Sequence, residues 1–295
     1  MHEKKIAMIG LDTSHSVVFT QLIQGTAPDG GHVDGMRIAK AMRFPSVFQS
    51  EEGQDKRQVA LEALGVEMVP DVESVLKGMD AVFIEINDPS LHLPYFEQVV
   101  DAGLPVFIDK PLAANVSEGR RIVELAEKHG VKAWSASSLR FLPQLIDAKK
   151  TVPAPAFGHT FGALGKAAAG NDLVWYGVHA VEMLTATLGT GAQSVQAIES
   201  QAGVVLLVSY AEGRSGVVEC MRGSYQYGGR LQLQGNIAMY TNQNQSPYPG
   251  LIDALRDFVV EGKIPVPLSE SLKILAILEA GVRSLASGHR EDVVL

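Results

Sequence analysis

The chain has one cysteine, Cys220, so no disulfide forms within it, and its residues do not follow the pattern of a small secreted domain stapled by disulfides. It also lacks any run of about 18 apolar residues, which rules out a membrane-spanning helix on length. No five Lys or Arg residues stand together and the formal net charge is −8, a balance that argues against nucleic acid or an anionic membrane as partner and leaves a small molecule. The start, MHEKKIAMIG, has neither the apolar stretch nor the small-residue cleavage site of a secretion signal, so the expected location is the cytoplasm. The histidines form no H-x-x-x-H or H-E-x-x-H pair and have no cysteine beside them, so no metal is expected. G-x-S-x-G is missing, and Ser135, Ser137 and Ser138 have no linked His/Asp pattern, which leaves a serine hydrolase little support.

What is present is a chain of 295 residues with 46% hydrophobic content, enough for two medium cores. Up to about residue 137 strand and helix patterns alternate. KKIAMIG, MRIAKAM, DAVFIEI, LPVFIDKP and VKAWSAS read as buried strands. SHSVVFTQLIQ, DKRQVALEALGV, VESVLKGM, HLPYFEQVVDAG and VSEGRRIVELAEKHG read as helices. Such alternation predicts an α/β domain over 1–137, a doubly wound Rossmann-type parallel sheet covered by helices on both faces. Beyond it, one strong helix (YGVHAVEMLTATLG) precedes the strand-like runs SVQAIESQ, GVVLLVSYAEG, SGVVECMRGSY and GRLQLQGNIAMYT, and two helices close the chain. This predicts an α+β domain over 138–295 with a mostly antiparallel open sheet. The glycine-dense TAPDGGHVDG reads as a surface loop, with a lid as the alternative.

The first strand runs into IGLDTSHS, where a nucleotide-binding fold carries G-x-G-x-x-G. Only Gly10 is in place; Asp12 stands at the second glycine position and His15 at the third. Gly10 permits the tight turn, and Leu11, Thr13 and Ser14 lead into a helix whose first amides suit a phosphate. Asp12 is the difficulty, since a carboxylate beside a pyrophosphate is repelled unless it turns away to cap the helix. Arg43 follows the second strand where an acidic residue would meet the ribose 2′-OH of NAD, a lean toward NADP. Two further turns, Asn87-Asp88-Pro89-Ser90 and Asp109-Lys110-Pro111, end strands whose carboxyl ends share the ligand crevice of a parallel sheet. Taken alone, Lys110 reads more readily as a solvated lysine, a balance that its place at a strand end shifts.

The segment DAVFIEINDPSLHLPYFEQVVDAGLPVFIDKP resembles the N-terminal domain of the Gfo/Idh/MocA oxidoreductases, named for glucose-fructose oxidoreductase and inositol dehydrogenase. Their hallmark Glu-Lys-Pro is Asp109-Lys110-Pro111 here, and NDPSLH is similar to their T-P-N-x-x-H, with His92 at the histidine. The resemblance continues through SLRF and YGVHAVEMLTATLG.

It implies a nicotinamide cofactor, NAD or NADP, held by the loop residues together with Arg43, Asn87, Asp88, His92, Asp109 and Lys110. It implies a hydride transfer to or from a sugar, polyol or related hydroxy compound. Lys110 would stabilise developing alkoxide charge, and His179 would take the hydroxyl proton, as an imidazole with an ordinary pKa of about 6.5 can. His179 also reads as a packed helix histidine. The family's aspartate four residues before that histidine is Trp175 here, so Glu182 is the acidic residue left to orient the imidazole, while Trp175 and Tyr176 offer a platform for a sugar ring or simply fill a core. Arg140 reads as tying the domains rather than contacting substrate. The family also implies a homodimer or homotetramer. Two further readings stay open: a redox-neutral sugar-modifying enzyme on the same scaffold, motivated by Trp175, and a non-catalytic nucleotide or sugar sensor, motivated by the altered glycine loop.

Overall fold

The computed structural model describes residues 3–25, 33–242 and 245–295, so most of the TAPDGGHVDG segment lies outside the described residues. The chain divides into two units, the first built from residues up to Ala113 with Ser117–Ser135 and Leu251–Leu268, the second from Ala136–Gly250 and Ser269–Leu295 with Ala114–Val116.

In the first unit, β1 (Lys4–Ile9), α1 (His15–Ile23), β2 (Met36–Met42), α2 (Glu51–Ala63), β3 (Glu67–Met68), α3 (Val72–Leu76), β4 (Ala81–Ile84), α4 (His92–Val99), β5 (Val106–Ile108), α5 (Val116–His129) and β6 (Ala133–Ser135) alternate along the chain. The strands form one parallel sheet in the order β3-β2-β1-β4-β5-β6. The order reverses between β1 and β4, and at such a switch point the connections leave in opposite directions and open a crevice beyond the carboxyl ends. The central strands are buried on both faces, as helix-covered parallel strands must be; every residue of β4 and β5 is inaccessible. Phe83, Phe107, Trp134 and Phe258 continue this core as a row of edge-on or tilted rings, with centroids 4.8–5.9 Å apart.

Two elements differ from the sequence reading. Helix α2 starts at Glu51, four residues before DKRQ, because Ser50 accepts the Gly53 amide as an N-cap and Glu51 and Glu52 fill the first turn. The two-residue β3 is too short to carry a period.

The second unit opens with α6 (Pro143–Thr151) and β7 (Phe157–Ala163), then α7 (Val178–Leu188), β8 (Ala192–Ser200), β9 (Gly203–Tyr210), β10 (Ser215–Met221), β11 (Gly228–Leu233) and β12 (Asn236–Thr241). Helix α8 (Pro249–Glu261) contributes mainly to the first unit; α9 (Leu268–Ser287) and β13 (Glu291–Asp292) complete the second. The sheet order is β12-β11-β7-β10-β9-β8-β13, antiparallel except for the parallel pair β7–β10.

GRLQLQGNIAMYT therefore forms two strands, not one, joined at Gln234-Gly235, where Gln234 takes φ 52°. Strand β7, FGHTFGA, escapes the sequence reading because its glycines break the apolar pattern. They are there for packing: a Cβ on Gly158 would lie 3.1 Å from a Leu184 methyl, and one on Gly162 would lie 2.8 Å from the Tyr227 ring. Glycine lets α7 and Tyr227 press onto the sheet. The opposite face leaves Ile198, Val205, Leu207 and Met239 exposed.

Candidate active site

In the first unit the parallel ladder runs one residue past β1, β4 and β5. The Gly10 amide donates to Met42 O, Glu85 to Ile9 O and Asp109 to Ile84 O, at 2.8–3.0 Å, so the loops leave the sheet from fixed points. Gly10 has φ 109°, and a Cβ there would sit 2.3 Å from the Glu85 carbonyl oxygen. No other residue type fits that turn.

Asp12 is 1% exposed. Its carboxylate accepts from Ser46 Oγ at 2.7 Å and from the Asn87 amide at 2.9 Å, joining the glycine loop to the turns after β2 and β4. Burial nevertheless holds its pKa above the ordinary value, with these hydrogen bonds pulling the other way. Asp12 thus turns away from the loop surface, but it does not cap α1. Thr13 does the local work there: its hydroxyl accepts from the His15 amide, and its carbonyl accepts from Ser16 Oγ. Leu11 is buried and its carbonyl accepts from Arg57. Ser14, at the N-cap position, is exposed and makes no side-chain cap, so its hydroxyl faces outward at the helix start.

His92 and Asp88, read in sequence as cofactor contacts, both make hydrogen bonds within the fold. His92 is fully buried, with Nε2 2.8 Å from Ile86 O and Nδ1 3.3 Å from Leu112 O, so it staples the turns after β4 and β5 together. Asp88 accepts from the amide and hydroxyl of Ser90 and caps the short 3-10 turn Pro89–Leu91. Asn87 spends its amide on Asp12. Arg43 lies just past β2 and forms a surface ion pair with Asp55.

Around Lys110, which is 6% exposed and joined to Pro111 by a cis peptide bond, the sheet end gathers charge. Asp109 Oδ1 accepts the Lys110 amide at 2.8 Å, and Oδ2 lies 2.7 Å from His15 Nδ1, whose ring stacks on Phe19. Burial alone would raise the Asp109 pKa, but His15 and Lys110 hold it well below the carboxylate range. Glu85, absent from the sequence-level site, is completely buried in the same cluster, and neither of its oxygens has a hydrogen-bond partner among the described residues. Burial and the neighbouring Asp109 push its carboxyl well above the usual range, with Lys110 opposing. Leaving a buried polar atom unpaired costs about 1–3 kcal/mol.

The second unit builds its own polar centre at the start of α7. A π-helical turn, Leu173–Gly177, leads into the helix; such turns change the angular spacing of side chains and recur at functional sites. Tyr176 stands edge-on to the His179 ring at 5.0 Å, Trp175 packs on Tyr176 at 4.9 Å, and Tyr227 flanks His179 at 5.9 Å. Gly165 makes room for this cluster, since a Cβ there would meet Trp175 at 2.8 Å.

His179 is 8% exposed, and its Nδ1 lies 2.7 Å from Ser137 Oγ. Glu182 does not take over the orienting role suggested by its position. Its Oε2 accepts the Ser137 amide at 2.9 Å and its Oε1 accepts from Arg140 at 3.0 Å. Arg140 also donates to Glu270, so its three-residue network lies within the second unit and does not tie two domains. Burial pushes the Glu182 carboxyl up to about 7 despite Arg140. Ser137, like Glu85, was missed: nothing in its local sequence distinguishes it from Ser135 and Ser138.

A parallel sheet with this strand order and a glycine turn at its switch point defines a dinucleotide-binding class of protein. Residues 36–137 match the family model GFO_IDH_MocA, described as an oxidoreductase family with an NAD-binding Rossmann fold. Over this segment the chain is similar to the Gfo/Idh/MocA oxidoreductases. A myo-inositol dehydrogenase of Streptomyces leeuwenhoekii is 31% identical over 86 residues, 29% of this chain and 26% of that protein. A dTDP-3,4-didehydro-2,6-dideoxy-α-D-glucose 3-reductase of Streptomyces violaceoruber is 30% identical over 28% of this chain and 24% of that protein. The chain therefore aligns with only about a quarter of the length of these relatives. Across the whole fold, a myo-inositol dehydrogenase from Corynebacterium glutamicum superposes with a TM-score of 0.82 at 15% identity, covering 99% of both chains. GenD2 from gentamicin A biosynthesis, solved in complex with NAD, superposes with 0.81 at 16%, covering 100% of this chain and 97% of that one. At such identities the likeness is one of fold.

The described residues fit a dinucleotide at the first unit's crevice. Gly10 keeps the tight turn, Asp12 is folded inward, and the exposed start of α1 is left to Ser14 and the backbone.

Proposed function

We propose that the protein is an NAD(P)-dependent oxidoreductase acting on a sugar, polyol or related small hydroxy compound. The observation that carries this reading is Lys110, almost buried at the carboxyl end of β5 beside the glycine turn of a Rossmann sheet. A bound nicotinamide supplies the hydride acceptor or donor. Lys110 stabilises charge on the reacting oxygen, and His179, held at Nδ1 by Ser137, exchanges the hydroxyl proton through Nε2. Trp175 and Tyr176 supply aromatic faces for the carbohydrate.

Arg43 supports a preference for NADP, because its pair with Asp55 is exposed and exchanging it for a 2′-phosphate costs little. In this reading the first unit, which takes in most of α8 as well as the residues expected from sequence, serves the cofactor, and the second serves substrate and assembly. The exposed Ile198, Val205, Leu207 and Met239 support the open sheet face as the interface of a homodimer or homotetramer. The relatives' names support inositol-like and sugar substrates. The test is reduced-nicotinamide absorbance across a sugar and polyol panel, with Lys110→Ala and His179→Ala as controls. Activity surviving either substitution removes that residue from the reaction.

A further inference from the structure

The His15–Asp109 pair explains two members of the cluster at the sheet end and leaves Glu85 unexplained. One nitrogen of His15 and carboxylate oxygens of Glu85 and Asp109 all lie within 4.8 Å of one another, so a side-chain shift of a few tenths of an ångström lets a single ion bond all three at about 2.0–2.3 Å. The three residues are 70 and 24 positions apart in sequence, so no local motif announces them. Each is fixed by a different strand end: His15 opens the helix after β1, Glu85 follows β4, and Asp109 follows β5. Glu85 and Asp109 are 0% and 1% exposed, and both Glu85 oxygens are buried with no hydrogen-bond partner among the described residues. A carboxylate aimed into a ligand-rich cluster without a proton donor is what a cation-binding group looks like before the cation arrives.

We infer that His15, Glu85 and Asp109 form a divalent metal site, contrary to the sequence expectation of no metal. One imidazole with two carboxylates favours a transition ion, Zn²⁺ or the harder Mn²⁺, over Ca²⁺ or Mg²⁺, which prefer all-oxygen shells. A dication matches the two carboxylates in charge and enters between His15 and Asp109, now 2.7 Å apart. Three protein ligands leave a coordination position for an oxygen ligand beside Lys110. This inference does not rest on the proposed redox activity.

The test strips the full-length protein with chelator and titrates it calorimetrically with Zn²⁺ and separately with Mn²⁺, alongside Glu85→Gln and His15→Ala. Circular dichroism and thermal melts check that each variant is folded. The expected result is about one equivalent bound per wild-type chain, with affinity reduced by about tenfold or more in each folded variant. Absence of stoichiometric binding to the wild type by both ions overturns the site, and so does binding that is unchanged in a folded variant. His15→Ala, altering the partly exposed member, keeps the test decisive if Glu85→Gln fails to fold.

Discussion

Ser137 Oγ lies 2.7 Å from Nδ1 of His179, and both residues are buried, so the imidazole is anchored by a hydroxyl. A hydroxyl fixes ring orientation without adding a negative charge beside it. In the proposed reaction Ser137 is a positioning residue rather than a catalytic one.

Ser137→Ala is expected to lower kcat by about tenfold or more while leaving cofactor affinity unchanged, because it frees the ring and leaves every residue of the proposed cofactor site in place. Steady-state kinetics across pH distinguish this from general destabilisation. A positioning role shifts the pH profile of kcat, whereas a purely structural role changes the melting temperature alone.

Glu182 gives a stability prediction with a definite sign. Its carboxyl is raised from 4.5 to about 7 in the folded chain, so the stability linked to its proton is complete below about pH 4.5 and is lost as pH rises through about 7. The unfolded chain releases that proton first. Urea unfolding at about pH 5 and about pH 8 should show the wild type losing on the order of 3 kcal/mol more than Glu182→Gln, which carries no titrating proton.

Asp12 separates two accounts of the glycine loop. If its carboxylate faced the pyrophosphate, Asp12→Gly would tighten dinucleotide binding. Because it instead accepts from Ser46 and Asn87, that substitution is expected to orphan two donors, costing about 1–3 kcal/mol for each that stays buried, and to leave affinity unchanged or weaker. Asp12→Asn, which retains an acceptor for the Asn87 amide, should be milder. Thermal melts with and without NADP read both effects.

Arg43→Asp is expected to shift preference from NADP toward NAD, since an aspartate at the end of β2 accepts from the ribose 2′-OH and repels a 2′-phosphate. The ratio of kcat/KM for the two cofactors measures this directly. A ratio unmoved by the substitution removes Arg43 from cofactor choice.

The Rossmann sheet was legible because its strands are apolar on both faces and its helices are amphipathic, leaving a pattern in nearly every element from β1 to β6. Strand β7 was not, because Gly158 and Gly162 serve the helix that packs on them and dilute the strand signal. In the proposed site, Gly10 was named from the strand-to-helix loop, and Lys110 and His179 from the family resemblance. Glu85 looked like an interruption of an apolar strand, and Ser137 like one of three serines; their meaning lies in side chains brought from elsewhere in the chain. The same limit misassigned Glu182, whose position three residues after His179 hid its partners, Ser137 and Arg140.

The most direct test of the central claim is a calorimetric titration of the purified protein with NADP and with NAD, followed by turnover with whichever binds. The account predicts saturable binding of at least one of them, and hydride transfer to a sugar or polyol that Lys110→Ala and His179→Ala abolish. No binding of either dinucleotide would contradict it.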